Sequence, residues 1–339
     1  MKKAGKAIKY ILSLVVAAVL VYFAFRGVKW SEFFSDLAET RWLYMVLFAL
    51  ASVLAIVFRT ERWRQLLLPL DDGVERLATW DSINIGNLAN VAVPGVGEFI
   101  RCGYVSGKKA SYDKTLGTIV MERIWDVLAI IVIFALALGL KWSHFGSFFI
   151  DNVWKPATGR LNFSLWWIVA ALVVLAVAAV WAVFRFRGSN ALCGKIAGAV
   201  KGIFQGLGTF FGMKHKLRFS LYTVGVWTMY VLMSWFGLKA VPALDSLTFV
   251  DALFISAVGN IASVIPVPGG IGAYHYLIAL TLSSLYGADW DLGILYATLC
   301  HESHAVIIIV LGVISYLRLS IHRGRKDIME ENETSGNGI

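Results

Sequence analysis

Apolar residues in this chain run in long blocks without a polar face, at 8–25, 42–59, 116–140, 164–184, 219–240 and 291–318. A helix that meets water on one side keeps a polar stripe, whereas about 20 residues that are apolar all round match the ~30 Å hydrocarbon core of a bilayer. The pattern predicts six transmembrane helices. Two further stretches, 80–107 and 250–287, are moderately apolar but broken by proline and glycine. Neither half of either stretch is long enough to cross, and each centre is a helix breaker. Two short helices around a Pro-Gly tip predict a re-entrant hairpin, whose irregular backbone survives at membrane depth only where protein or water satisfies it. Two kinked full spans are the alternative; they would invert the spans between them and place the basic block 185–218 on the outer side.

The overall fold class expected is therefore an all-α polytopic membrane protein. Composition agrees: 58% of the 339 residues are hydrophobic and 16% charged, and the mean hydropathy is +0.70. These values leave too few polar side chains to cover a soluble protein of this length, and they exclude a disordered chain. The three cysteines, Cys102, Cys193 and Cys300, are odd in number and unrelated in spacing. They predict neither a disulfide framework nor a cysteine metal site.

The net charge of +9 has two possible sources, a nucleic-acid partner or basic cytoplasmic loops. Placing the N-terminus in the cytoplasm and threading six spans decides for the second. Most Lys and Arg then fall inside, among them Lys2, Lys3, Arg59, Arg62, Lys108, Lys109, Arg185, Lys201, Lys216 and Arg323, against Arg26, Lys29, Arg41, Lys141, Lys155 and Arg160 outside. This bias predicts a cell-membrane protein with both termini cytoplasmic and no nucleic-acid partner. Trp30, Trp42, Trp142, Trp154, Trp166, Trp167 and Trp290 fall near the outer ends, where aromatic belts form. The first block follows Met1-Lys2-Lys3 without a small-residue cleavage pattern, so an uncleaved helix is expected. Segment 195–216, with Lys195, Lys201, Lys214 and Lys216 among apolar residues, reads as an interfacial helix, and 319–339 as a disordered tail.

The two interrupted segments resemble each other. Gly86-Asn87-Leu88-Ala89-Asn90-Val91 lies against Gly259-Asn260-Ile261-Ala262-Ser263-Val264, and Pro94-Gly95 against Pro268-Gly269. Downstream, Thr118 and Glu122 lie against Thr298 and Glu302. The chain thus divides into a first repeat over 1–140, an outer loop over 141–163, and a second repeat over 164–318. Each repeat holds two spans, a hairpin and a span, with opposite orientation in the membrane. Interrupted helices at matching positions of inverted halves point to a transporter's midplane site.

Ionisable groups inside spans are functional candidates by default. Glu122 and Asp126 share a helix face, and Arg123 is placed to pair with either or with Glu98. A structural ion-pair network and a network lining a cavity are both open. Glu98 and Arg101 follow the Pro94-Gly95-Gly97 turn at i and i+3. A helix start there offers N–H groups to an anion, and Arg grips phosphate bidentately. Asn87, Asn90 and Asn260 are polar candidates within the hairpins, and Pro94, Gly95, Gly97, Pro266, Pro268, Gly269, Gly270 and Gly272 are the hinge positions. Asp81 and Asp251 read as helix caps. In the second half His275, His301, Glu302 and His304 suit proton relay, substrate contact or helix-helix hydrogen bonds. The spacing of a zinc protease is absent, so neither metal nor cofactor is expected.

With these residues in hand, the chain resembles the flippase-like family of the lysylphosphatidylglycerol synthase transmembrane region over about 5–318. The marks are Arg62-Trp63, the run Pro94 to Arg101, Glu122-Arg123-x-x-Asp126, and Pro266-Val267-Pro268-Gly269-Gly270-Ile271-Gly272. The resemblance implies an all-helical membrane domain with re-entrant elements, moving phospholipid or lipid-linked precursors between leaflets. The match includes no aminoacyl-transfer domain, so lipid synthesis is not implied. His275 stands where the family often has Glu. A membrane-embedded lipid-modifying transferase and a non-transporting assembly partner are the other readings; the oligomeric state is not legible.

Overall fold

A computed structural model describes residues 28–107, 109–150, 191–262, 265 and 267–336, together with Val15, Val21, Tyr22, Phe25, Arg26, Val174, Trp181 and Arg185. The spans expected over 8–25 and 164–184, and Pro266, lie outside this described part apart from those isolated positions. Among the described residues the chain is helical, without strands.

Four helices are long and apolar enough to cross a membrane: α2 (Trp42–Leu67), α5 (Tyr112–Leu140), α8 (Lys216–Ala240) and the Trp290–Ile321 part of α11 (Trp290–Gly336). Helix α1 (Trp30–Ala38) precedes them. Between α2 and α5 the chain forms α3 (Arg76–Ala92) and α4 (Val96–Val105). Helix α6 (Trp142–Phe149) follows α5, and α7 (Ala191–Gly212) precedes α8. Between α8 and α11 come α9 (Phe249–Ala262) and α10 (Ala273–Tyr286). At 1.5 Å per residue, α3, α4, α9 and α10 measure about 26, 15, 21 and 21 Å, each short of the hydrocarbon thickness.

The interruptions fall where the sequence places them. Pro94 cannot supply an N–H, and Gly95 turns the chain with φ 77° into α4. In the second pair Gly269, Gly270 and Gly272 all hold positive φ before α10 begins. The arms of the first pair meet through glycine: a Cβ on Gly97 would lie 1.9 Å from the Gly86 carbonyl oxygen. Only a bare backbone fits there.

The helices pack in a two-fold pattern. Helix α2 lies along α8; α3 packs on α11 and α9 on α5; α4 packs on α5 and α10 on α11. One apolar core joins Trp63, Ile83, Cys102 and Ile119 around the first pair, and another joins Phe48, Ile255, Ile278 and Leu295 around the second. Cys102 and Cys300 are buried as small apolar groups. Outward, Leu43, Val46, Leu50 and Leu54 of α2 and Ile124, Val127, Leu128 and Ile131 of α5 form exposed apolar faces.

Ion pairs fasten the ends of this arrangement. Asp81 lies inside α3 and binds Arg318 of α11, so it is no helix cap. Its partner sits 237 residues away, beyond the reach of a local spacing argument. Asp251 does close the start of α9, accepting the Thr248 N–H and hydroxyl at 2.7 Å each. It also accepts Lys141 of α5 at 2.8 and 2.6 Å and the Tyr286 hydroxyl at 3.0 Å.

Two expectations need correction. Helix α2 continues to Leu67 instead of ending at 59, since Arg59, Arg62 and Arg64 all favour helix and no breaker intervenes. Helix α11 continues to Gly336 where a disordered tail was expected from 319. No proline follows Arg318, so nothing in that sequence forbids the helix from continuing. The segment read as interfacial is α7, which packs on α5 through a glycine seam. A Cβ on Gly117 would lie 2.1 Å from the Ile203 carbonyl oxygen, and one on Gly206 2.0 Å from that of Lys114.

Candidate functional site

Glu122 sits about one-third along α5 and is fully buried. A lone carboxylate in this setting carries a heavy desolvation cost and persists only with partners. Three arginines supply them. Arg62 Nη2 and Arg59 Nε donate to Oε1 at 2.9 and 3.2 Å, and Arg101 Nη2 donates to Oε2 at 2.7 Å. Arg62 and Arg59 come from one face of α2, three residues apart, and Arg101 from α4.

The network spreads from this centre. Arg62 Nη1 donates to Asp126 at 2.7 Å, and Arg123 donates to Asp126 at 3.3 Å and to Glu98 at 2.7 Å. Arg101 Nε lies 2.8 Å from Glu98 Oε2. The Arg101 guanidinium also stands 4.6 Å from the centre of the Trp63 ring, whose Nε1 donates to Thr118 at 2.9 Å. The ring face attracts the cation and fixes its plane. Arg59, Arg62, Arg101 and Arg123 thus face Glu98, Glu122 and Asp126, leaving one positive charge in excess. Among the described residues, Arg101 Nη1 and Arg62 Nε are buried without a hydrogen-bond partner.

The asparagines divide. Asn87 accepts Arg59 Nη1 at 3.2 Å and joins the network. Asn90 accepts the Gly97 N–H at 2.7 Å, so it ties the two arms together and occupies one of the N–H groups expected to be open to an anion. Asn260 donates to the Ser256 carbonyl of its own helix at 2.8 Å.

The second-half candidates form a separate cluster. His275 Nε2 lies 3.8 Å from Glu302, and the His275 and His301 rings are 5.3 Å apart. Tyr274 stacks on His301 at 5.2 Å, and His301 abuts the tip at Gly270. His304 turns to α2, 2.7 Å from the Ser52 hydroxyl. Ser52 and Arg59 are seven residues apart, so one face of α2 runs past both clusters. Glu302 does not reproduce the setting of Glu122: its side chain is about half exposed, with the His275 imidazole 3.8 Å away. No three His, Cys, Asp or Glu among the described residues are grouped to hold a metal ion.

Arg59 and Arg62 are site residues that the charge distribution alone sets at the cytoplasmic end of the span, although Arg62-Trp63 is one of the family's marks. Their signal was present in the i, i+3 spacing directly continuous with an apolar helix. A separate cavity of about 570 Å³, lined by Lys141, Ser143, Ser246, Asp251, Tyr286 and neighbours, lies at the far end of α5.

Apolar helices around a buried ionic centre define an integral, multi-pass membrane protein. The chain belongs to the family described as the lysylphosphatidylglycerol synthase TM region, whose model matches residues 10–312. That family connects it with membrane lipid metabolism and transport. No curated protein matches the chain, and no solved structure does.

Proposed function

We propose that the protein is a lipid flippase, moving a lipid with an anionic headgroup between leaflets of the cell membrane by alternating access. The observation that carries this reading is the charged network around Glu122, built where the first broken helix pair meets α2 and α5. In the proposed topology six spans and two re-entrant hairpins form inverted repeats over 1–140 and 164–318, with both termini cytoplasmic. The two-fold packing supports it: α3 against α11 mirrors α9 against α5, and α2 lies along α8.

In this mechanism Arg101 and Arg123 meet the headgroup phosphate, while Glu98, Glu122 and Asp126 hold the arginines in its absence. A carboxylate that already binds three guanidinium groups can release one without leaving a bare buried charge. His275, His301, Glu302 and His304 lie on the other half, where they serve as contacts or proton carriers as the repeats rock.

The test is transport by the purified full-length chain in liposomes loaded with fluorescent phosphatidylglycerol. Dithionite quenching should show headgroups crossing the bilayer, and Arg101→Gln should abolish this while the protein remains monodisperse. A folded wild-type protein that moves neither phosphatidylglycerol nor a polyprenyl phosphate would rule the reading out. Product formation from a lipid substrate in detergent would favour a transferase instead.

A further inference from the structure

The network is not sealed all round. Arg62, Arg101 and Glu122 are buried, but Arg123 is 46% exposed at its side chain and Glu98 22%. Arg123 stands about 16 Å along α5 from Tyr112, well within the apolar length of the helix. Its neighbours on that surface are the exposed apolar residues Val120, Ile124 and Val127, and next along α4 to its partner Glu98 comes the exposed Phe99. The charged groups therefore reach the surface sideways, between α4 and α5, amid side chains suited to acyl chains.

Resting on the flippase reading, we infer that the seam between α4 and α5 is a lateral portal through which a lipid phosphodiester enters headgroup first. Its phosphate takes the Arg123 guanidinium from Glu98 and Asp126, while the acyl chains stay outside against Phe99, Ile124 and Val127. The charge balance selects the class of headgroup. Four guanidinium groups against three carboxylates leave a single positive charge, which one phosphodiester anion neutralises. The buried Arg101 Nη1 and Arg62 Nε, both without partners, offer donors to its oxygens further in. Charge-assisted bonds from Arg to phosphate are short and bidentate, so a neutral headgroup gains none of this. Ionic exchange needs no bond making: Arg123 gives up two carboxylates and accepts one phosphate.

A photoreactive benzoylphenylalanine placed at Phe99 in the full-length chain, in nanodiscs containing radiolabelled phosphatidylglycerol, tests the portal. Leu136, an equally lipid-facing residue of α5, is the control position. Illumination should label the Phe99 position well above Leu136. Arg123→Gln should lower that labelling about tenfold, the loss expected for a charge-assisted phosphate contact, while Arg123→Lys retains part of it. Radiolabelled diacylglycerol should label both positions alike, and excess inorganic phosphate should leave the phosphatidylglycerol adduct in place. Equal labelling at Phe99 and Leu136, no effect of Arg123→Gln in a protein of unchanged melting temperature, or displacement by free phosphate would each overturn the portal. The readout separates it from transport: an adduct without flipping sinks the flippase reading alone, and flipping without an adduct sinks the portal alone.

Discussion

Lys141, at the end of α5, donates to both carboxylate oxygens of Asp251, at the start of α9, at 2.8 and 2.6 Å. Its counterpart at the other end joins Arg318 of α11 to Asp81 of α3. Each broken helix pair is thus held by the end of a long helix from the opposite half of the chain. Asp251 is buried and Lys141 only partly so. Lys141→Ala should therefore lower stability by about 2–3 kcal/mol, somewhat less than the loss of one partner from a fully buried pair. The double exchange Lys141→Asp with Asp251→Lys should recover part of it. Thermal melting in detergent reads both; equal melting of wild type and Lys141→Ala would show that the pair contributes nothing.

Glu122→Gln keeps the shape of the side chain but removes the charge that Arg59, Arg62 and Arg101 share. Uncompensated guanidinium groups then remain buried, and the expected cost is about 3–5 kcal/mol. Adding Arg62→Met should restore part of the loss, because it removes one of the stranded cations. Urea or heat denaturation of the three variants checks the order: wild type highest, Glu122→Gln lowest, the double variant between.

Gly97→Ala should separate the arms of the first pair. The added methyl group would fall 1.9 Å from the Gly86 carbonyl oxygen and 2.7 Å from the Asn90 side chain, and neither the backbone nor a capping amide can yield cheaply. Overpacking of this kind costs about 1–3 kcal/mol. A cysteine pair across α3 and α4 should then crosslink more slowly than in the parent. Gly103→Ala, on the same helix with nothing within 4 Å, should leave crosslinking unchanged.

Asp245, in the loop after α8, gives a dependence on pH. Arg41 and Lys239, at 2.9 and 3.0 Å, hold its carboxyl below the ordinary value of 3.8, the Arg41 hydrogen bond foremost. A folded-state value below the unfolded one adds stability that is present above 3.8 and fades as the pH falls through the folded value. Asp245→Asn should therefore flatten the fall in melting temperature between about pH 5 and pH 3. Unchanged slopes would dissociate the loop contact from acid sensitivity.

The long helices and the two interruptions were legible in the sequence because each rests on a local signal. Apolar length marks α2, α5, α8 and α11, while Pro94-Gly95 and Pro268-Gly269-Gly270 mark the breaks. The pairing of Arg123 with Glu98 and Asp126 was legible too, from spacing and charge. The centre of the network was only half visible. Glu122 stands out as a charge in an apolar span, but Arg59 and Arg62 close or follow an apolar block and count towards the cytoplasmic side, since the positive-inside rule draws every basic residue at a span end towards the surface. Nothing local could give the Asp81–Arg318 pair, which exists only once α11 returns to α3. The likeness of Glu302 to Glu122 was a likeness of sequence position alone: the helix facing Glu302 brings His275 instead of arginines.

The glycine seam between α5 and α7 bears on which parts can travel. With Gly117 and Gly206 nested against opposing carbonyl groups, the two backbones interlock like gear teeth, and sliding one past the other would drive main chain into main chain. Helix α7 therefore rides with α5 as ballast, anchoring Glu122 to the frame. Helix α4 is nested in the same way on α3, with Gly97 against the Gly86 carbonyl oxygen, so the short arm that carries Arg101 moves only together with α3.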